Sequence, residues 1–286
     1  PLVARLKELG MTSCAITDHG VMYGVVDFYR ECKAAGIHPV IGCEVYVCPD
    51  MDNKTSTTRD YSHLILLCEN QKGYENLSRL VSEGFIRGYY YRPRVDYALL
   101  EKHSEGLIAL SACLSGDLPK LLLDGRENEA RQMARKYIDI FGKDNFFLEL
   151  QDHGIMEQQT VNQGLLRMSQ ETGIELVATN DIHYVMDIDE EAHDILLCIQ
   201  TNRTINDTDR MEFQTSEFYL KSEEEMLESD SELIVLKVFE EGDETFLAGI
   251  EDDDEFDEVA DIFEERLQDI FEIDVVEADV IPEDEQ

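Results

Sequence analysis

Short β-rich runs alternate with amphipathic stretches through the first 226 residues, and no other feature limits the fold as much. Strands are expected at residues 14–17, 39–47, 63–68, 106–112, 146–150 and 175–179, and helices at 21–35, 74–85, 127–141 and 157–172. Repeated strand–helix alternation predicts an α/β fold on a largely parallel sheet. Six strands with helices between most of them favour a barrel-like closure over a small open sheet. The polar stretch 49–60 predicts a loop joining two adjacent antiparallel strands. That loop would put His63 on the rim where the 39–47 strand ends.

The pattern stops near residue 227. Residues 227–286 hold 25 Asp and Glu against 2 Lys and Arg, within a chain of net charge -39. We therefore divide the chain into 1–226 and an acidic α+β tail, 227–286. In the tail, residues 233–239 and 245–250 read as a hairpin around Glu240-Glu241-Gly242-Asp243, and 257–271 as an amphipathic helix with Val259, Phe263, Leu267 and Ile270 on one face. The acidic run 251–255 lacks the glycine and the spacing of an EF-hand loop, so it reads as a solvated appendage.

Composition excludes several function classes. Nonspecific nucleic-acid affinity comes from Lys and Arg neutralising phosphates, so this acidic chain is expected to hold DNA poorly by itself. No run of about 18 apolar residues is present, so no membrane helix is expected. The opening Pro1-Leu2-Val3-Ala4-Arg5 has neither an initiator Met nor a signal-peptide layout, and reads as the interior of a longer protein. Seven scattered cysteines, mostly inside apolar runs, suit a reducing cytoplasm.

In folds of this kind functional side chains gather at strand ends, and here those ends are rich in metal-ligand types. Asp18 and His19 close the first strand. Glu44 lies in an apolar strand where a lone carboxylate is costly to bury unless paired or coordinated. His63 opens the next strand, Cys113 follows another, and Asp181 and His183 follow the last, two residues apart. Carboxylate, imidazole and thiol together suit zinc, iron or manganese better than magnesium or calcium. Each residue alone has an ordinary structural reading, such as a buried thiol or a hydrogen-bonded histidine.

The strings AITDHG (15–20), PVIGCEVYV (39–47), SHLILLCENQKGYENL (62–77), YYYRPRVD (89–96), IALSACLSGDLP (108–119), FFLELQDHG (146–154), LVATNDIHYV (176–185) and FYLKSEEEM (218–226) run in unbroken order. In these strings the chain resembles the PHP domain of bacterial DNA polymerase III alpha subunits. The resemblance implies a distorted (β/α)7-type barrel carrying up to three divalent metal ions, with His19, Glu44, His63, Cys113, Asp181 and His183 as ligands. It implies that Glu44 bridges two metals, that His63 and Cys113 hold one of them, that Asp181 completes another, and that His19 and His183 share the third. Asp18, Asn180 and His153 flank these motifs as orienting or structural residues.

The family's first motif, an H-x-H pair with a following Asp, is expected to precede residue 1, and the first barrel strand with it. An incomplete metal set follows from that expectation. The implied chemistry is metal-assisted phosphoester hydrolysis, which in a polymerase would serve 3′–5′ exonuclease proofreading. By family the whole protein is expected to be a DNA-directed DNA polymerase, a nucleotidyltransferase with DNA, dNTPs and other replicase subunits as partners. The polymerase catalytic aspartates are not among these motifs. A free-standing PHP phosphatase and a non-catalytic scaffold are the alternatives; YYYRPRVD and FYLKSEEEM argue against the first. The tail resembles part of a small acidic domain of unknown function from Gram-positive bacteria, and reads as a fusion.

Overall fold

The structure, a computed structural model, describes residues 1–55, 61–222 and 225–226, and beyond them the backbone of two strands. The chain divides into two compact units, Pro1–Ser229 and Asp230–Gln286.

The first unit is built on one sheet. Its strands are β1 (Ser13–Ile16), β2 (His38–Cys48), β3 (Ser62–Cys68), β4 (Tyr89–Tyr90), β5 (Arg92–Asp96), β6 (Leu107–Leu110), β7 (Phe146–Leu150) and β8 (Leu176–Ala178). They lie in the order β4-β5-β2-β3-β6-β7-β8, with β1 paired to the first half of β2. The helices are α1 (Leu2–Glu8), α2 (Val25–Ala35), α3 (Gln71–Ile86), α4 (Tyr97–Lys102), α5 (Asp117–Leu123), α6 (Glu127–Phe141), α7 (Met156–Thr172) and α8 (Glu190–Thr201). This is the mixed α/β architecture of a distorted PHP barrel. The sheet curls, but among the described residues no hydrogen bonds join β8 to β4.

The sheet is mixed where the alternation pointed to a mostly parallel one. β3 runs antiparallel to both β2 and β6. The cause is local: among the described residues no helix lies between β2 and β3, and the chain returns beside the strand it left, as the polar stretch after Cys48 predicts. The segment around Tyr89–Asp96 was not among the expected strands, because Arg, Pro and Asp mask its extended character. It forms a tight β4–β5 hairpin turning at Tyr91 (φ 62°), and β5 then runs parallel to the end of β2, with Arg94 opposite Tyr46.

Element ends follow capping chemistry. α3 begins three residues before the expected start because the Asn70 side chain accepts the Gly73 N–H at 3.1 Å. Gly73 has no alternative there: a Cβ would lie 1.8 Å from the Gly106 carbonyl oxygen. Asp96 caps α4 in the same way through Leu99 N–H. α6 buries Ala130, Ala134, Tyr137 and Phe141, one face of a helix, against a core that includes Leu64, Leu66, Leu107, Phe146 and Leu148. Arg94 is fully buried, donating to the carbonyls of Gly88, Met51 and Asn53, so it fastens the loop after β2 to the β4–β5 hairpin.

In the second unit β9 (Leu236–Glu241) and β10 (Glu244–Gly249) pair antiparallel with Phe239 opposite Phe246. The expected hairpin is thus present, with its first strand displaced by about three residues. The helix expected at 257–271 lies outside the described residues.

Candidate metal centre

The centre is assembled by backbone pairing before any side chain meets another. Just past β1, Glu44 N–H donates to the Asp18 carbonyl at 3.1 Å and Gly20 N–H donates to the Glu44 carbonyl at 2.8 Å. This bridge sets His19 beside Glu44. Gly20 (φ 67°) makes the turn, and a Cβ there would press within 2.8 Å of the Tyr46 ring and 2.9 Å of Pro93. On the other side of β2, antiparallel pairing places His63 opposite Tyr46, two residues along from Glu44. Period-two alternation puts both on one face.

The side chains then converge. His19 Nδ1 and His63 Nδ1 each lie 2.6 Å from the same atom, Glu44 Oε1. Glu44 is buried, His63 largely so, and His19 half-exposed. Among the described residues these three form the one group of His, Cys, Asp or Glu whose ligand atoms all lie within 4.8 Å of one another. The Cys113 thiol is next to them, 3.6 Å from His63 Nδ1. The His183 ring is 5.9 Å from that of His19, and its Nδ1–H donates to the Asp181 carbonyl at 2.7 Å, with Asp181 Oδ1 at 3.9 Å. All six candidate ligands therefore face one rim, with His19, Glu44 and His63 in direct contact and Asp181 and His183 set beside them.

Electrostatics follow the geometry. Burial by itself would raise the Glu44 carboxyl, but hydrogen bonds from His19 and His63 outweigh it and hold the group at about 2. The same bond to Glu44 raises His19 against the opposing effect of burial. Burial pushes the Cys113 thiol up, with the Glu44 and Asp181 carboxylates adding to it. Burial likewise raises Asp181. Two imidazoles on one buried carboxylate oxygen, a thiol alongside and a second carboxylate nearby are donors that a cation could take in place of their protons.

The flanking residues behave differently. Asp18 contributes its carbonyl, which accepts from Glu44 N–H and, at 3.2 Å, from the Cys43 thiol. His153 is fully buried and stacked on Phe218. Its Nδ1 accepts from Gln158 Nε2 at 2.7 Å, so Nε2 carries the proton and donates to the Asn180 carbonyl at 2.8 Å. The Asn180 amide in turn donates to the carbonyls of Glu217 and Tyr219. This pair pins the backbone just before Asp181, whose φ of 41° is left-handed.

Two residues near the site were not singled out from the sequence. Glu149, on β7, is buried; its carboxylate accepts Ala112 N–H at 3.0 Å, Thr179 Oγ1 at 2.6 Å and Gln151 Nε2 at 3.1 Å. It joins the left-handed turn at Ala112 (φ 64°), which carries Cys113, to the end of β8, which leads to Asp181. Burial raises its carboxyl to about 7. The signal was available, since the cost of burying a lone carboxylate in an apolar strand applies to FFLEL as it does to VIGCE. The other is Arg92, within YYYRPRVD, whose place over the Tyr46 ring depends on the β4–β5 hairpin.

A family described as the PHP domain matches residues 1–153. A second, described as a protein of unknown function (DUF1292), matches residues 205–268. The chain is 50% identical over 228 residues to the DNA polymerase III subunit alpha of Treponema pallidum strain Nichols, covering 79% of this chain and 20% of that protein. The subunits of the same name from Helicobacter pylori strain 26695 and Deinococcus radiodurans are 42% and 44% identical over 235 and 260 residues, covering 79% and 85% of this chain and 19% of each relative. The chain thus spans about a fifth of the length of these relatives. A solved structure of a candidate metal-dependent phosphoesterase from Bifidobacterium adolescentis aligns over 63% of this chain and 80% of its own, with a TM-score of 0.39 and 12% identity, too distant a likeness to bear on chemistry. On these matches the chain belongs to the PHP domain family, in the form found in DNA polymerase III alpha subunits.

Proposed function

We propose that residues 1–226 are the metal-binding PHP domain of a DNA polymerase III alpha subunit, with residues 227–286 a separate acidic unit. In this reading His19, Glu44, His63, Cys113, Asp181 and His183 hold divalent ions of the zinc, manganese or iron class. The observation that carries it is the meeting of two imidazole Nδ1 atoms on Glu44 Oε1, each at 2.6 Å. The donor set fits such a cation: imidazole, carboxylate and thiol are its usual ligands, and a cation among them replaces shared protons as the partner of a buried carboxylate.

Bound there, a divalent ion supplies Lewis acidity toward a phosphoester and lowers the pKa of water. The chain's own residues supply the rest. Before an ion binds, Glu44 accepts from both rings and fixes their orientation. Glu149 and Ala112 hold the turn of Cys113, and His153 with Asn180 holds that of Asp181. The resulting activity in the longer polypeptide is phosphoester hydrolysis of the 3′–5′ exonuclease type, beside a polymerase that takes DNA and dNTPs and works with other replicase subunits.

Calorimetric titration of the chelator-stripped chain with Zn²⁺ and Mn²⁺ tests the reading. A saturable site in the wild type, weakened by about tenfold or more in Glu44→Gln, is expected, because the substitution removes the charge yet keeps the shape. Equal isotherms for the two proteins would remove Glu44 from the site.

A further inference from the structure

The hairpin sequence YYYRPRVD carries two arginines with opposite fates. Arg94 is buried and spent on backbone carbonyls. Arg92 is exposed at the rim of the candidate metal centre. Its guanidinium carbon lies 5.7 Å from the centre of the Tyr46 ring. Its guanidinium donates to the Tyr61 hydroxyl, and the hydroxyls of Tyr46 and Tyr89 are near enough to interact with its charge. Tyr46 and Tyr61 meet edge to face at 5.0 Å, and both pack on the His63 imidazole, with centroids at 5.3 and 6.3 Å. One chain of contacts therefore runs from Glu44 through His63 and the two tyrosines to Arg92. Among the described residues no carboxylate pairs with Arg92, although the chain as a whole is acidic. Lys120, a second cation, donates to the Tyr61 carbonyl at 2.7 Å. Tyr89, at the hairpin's other strand, keeps half of its ring in solvent.

A planar guanidinium matches a phosphate with two parallel hydrogen bonds, whereas an exposed aromatic ring offers a sequence-tolerant stacking face for a base. We propose that Arg92, positioned by Tyr46 and Tyr61 and flanked by the open ring of Tyr89, is a phosphate-and-base subsite for the terminal nucleotide of a single-stranded nucleic acid beside the metal centre. The proposal takes the position of the reacting phosphate from the metal-centre reading. It adds to that reading the side chains that would grip the nucleotide end, Arg92 for its phosphate and Tyr89 for its base. Paired duplex is disfavoured, because a stacked and paired base cannot reach Tyr89, and because the acidic surroundings repel a second strand.

The test is calorimetric titration of the full chain with dTMP, with deoxyribose 5-phosphate and with inorganic phosphate, each with saturating Mn²⁺ and again in EDTA. Wild type, Arg92→Gln, Arg92→Lys and Tyr89→Ala are compared, with Mn²⁺ affinity and thermal midpoint measured for each. Loss of the fork should weaken all three ligands by about tenfold in Arg92→Gln, with partial recovery in Arg92→Lys. Tyr89→Ala should weaken dTMP by about tenfold while leaving the other two unchanged. Mn²⁺ affinity should stay at the wild-type value throughout. The proposal is overturned if Arg92→Gln binds the ligands as the wild type does, if it loses Mn²⁺ in parallel with them, or if wild type prefers none of the three. A chain that takes up no Mn²⁺ but still binds dTMP through Arg92 in EDTA would sink the metal reading and leave the subsite standing.

Discussion

Glu44 shows how far one side chain can be read. Its burial cost in an apolar strand marks it in the sequence, and the structure supplies the two histidines that offset that cost. The titration of Glu44 and His19 has a definite sign. Glu44, held at about 2, contributes stability that is in place above the ordinary carboxyl value of 4.5 and is lost as pH falls toward 2. His19 is raised above 6.5, so its contribution is complete below that value and is lost as pH rises through the raised one. In the metal-free chain, the thermal midpoint of wild type should therefore exceed that of Glu44→Gln most between about pH 4.5 and 6.5, and the gap should narrow on both sides. Metal affinity should rise over the alkaline side, as the proton leaves the His19 imidazole. A gap that stays constant from acid to alkaline pH would mean that the ring–carboxylate bonds do not form. His19 and His63 were legible as ligand types, but their sharing of one oxygen was not, because it depends on β2 meeting two different segments at once.

At the scale of elements, strand ends do the positioning. β2 is parallel to β1 in its first half and antiparallel to β3 in its second, so one strand presents Glu44 to residues from both sides. Glu149 plays the corresponding part between β6 and β8. Its three accepted hydrogen bonds tie the Cys113 turn to the segment before Asp181. Glu149→Ala removes the acceptor of the buried Ala112 N–H and of the Thr179 hydroxyl, while the Gln151 amide keeps Thr179 Oγ1 as a second acceptor, and should lower unfolding stability by about 1–3 kcal/mol, measured by urea denaturation of the metal-free chain. It should also weaken metal binding with Cys113 and Asp181 still present. Wild-type stability in that variant would show that the turn at Ala112 holds itself. Element identity was largely legible: 127–141 and 146–150 match their expected bounds, and the other expected strands and helices of the first unit shift at their ends. The β4–β5 hairpin was missed, since Tyr-Tyr-Tyr-Arg-Pro-Arg has no period-two apolar pattern and is extended only because β5 finds a place beside β2.

For the whole molecule, charge and division dominate. A net charge of -39 opposes phosphate backbones, and the few cations at the rim act over one nucleotide, not along a duplex. Fluorescence anisotropy with labelled duplex DNA near physiological salt should therefore give no saturable binding below about 100 μM, the weak end of nonspecific affinity. Submicromolar binding would overturn this use of net charge. Among the described residues no helix is long and apolar enough to cross a membrane. The sequence by itself determined the alternation of strands and helices, the abrupt change near residue 227 and the residue types able to hold a cation, because each is written in local periodicity, composition and side-chain chemistry. Only the tertiary structure decided that β3 runs antiparallel, that His19 and His63 meet on one oxygen of Glu44, and that Arg92 stands over the Tyr46 ring while Arg94 is buried. Those outcomes are set by which strands pair and in what register, and pairing joins residues that are far apart in the chain and carry no mark of each other.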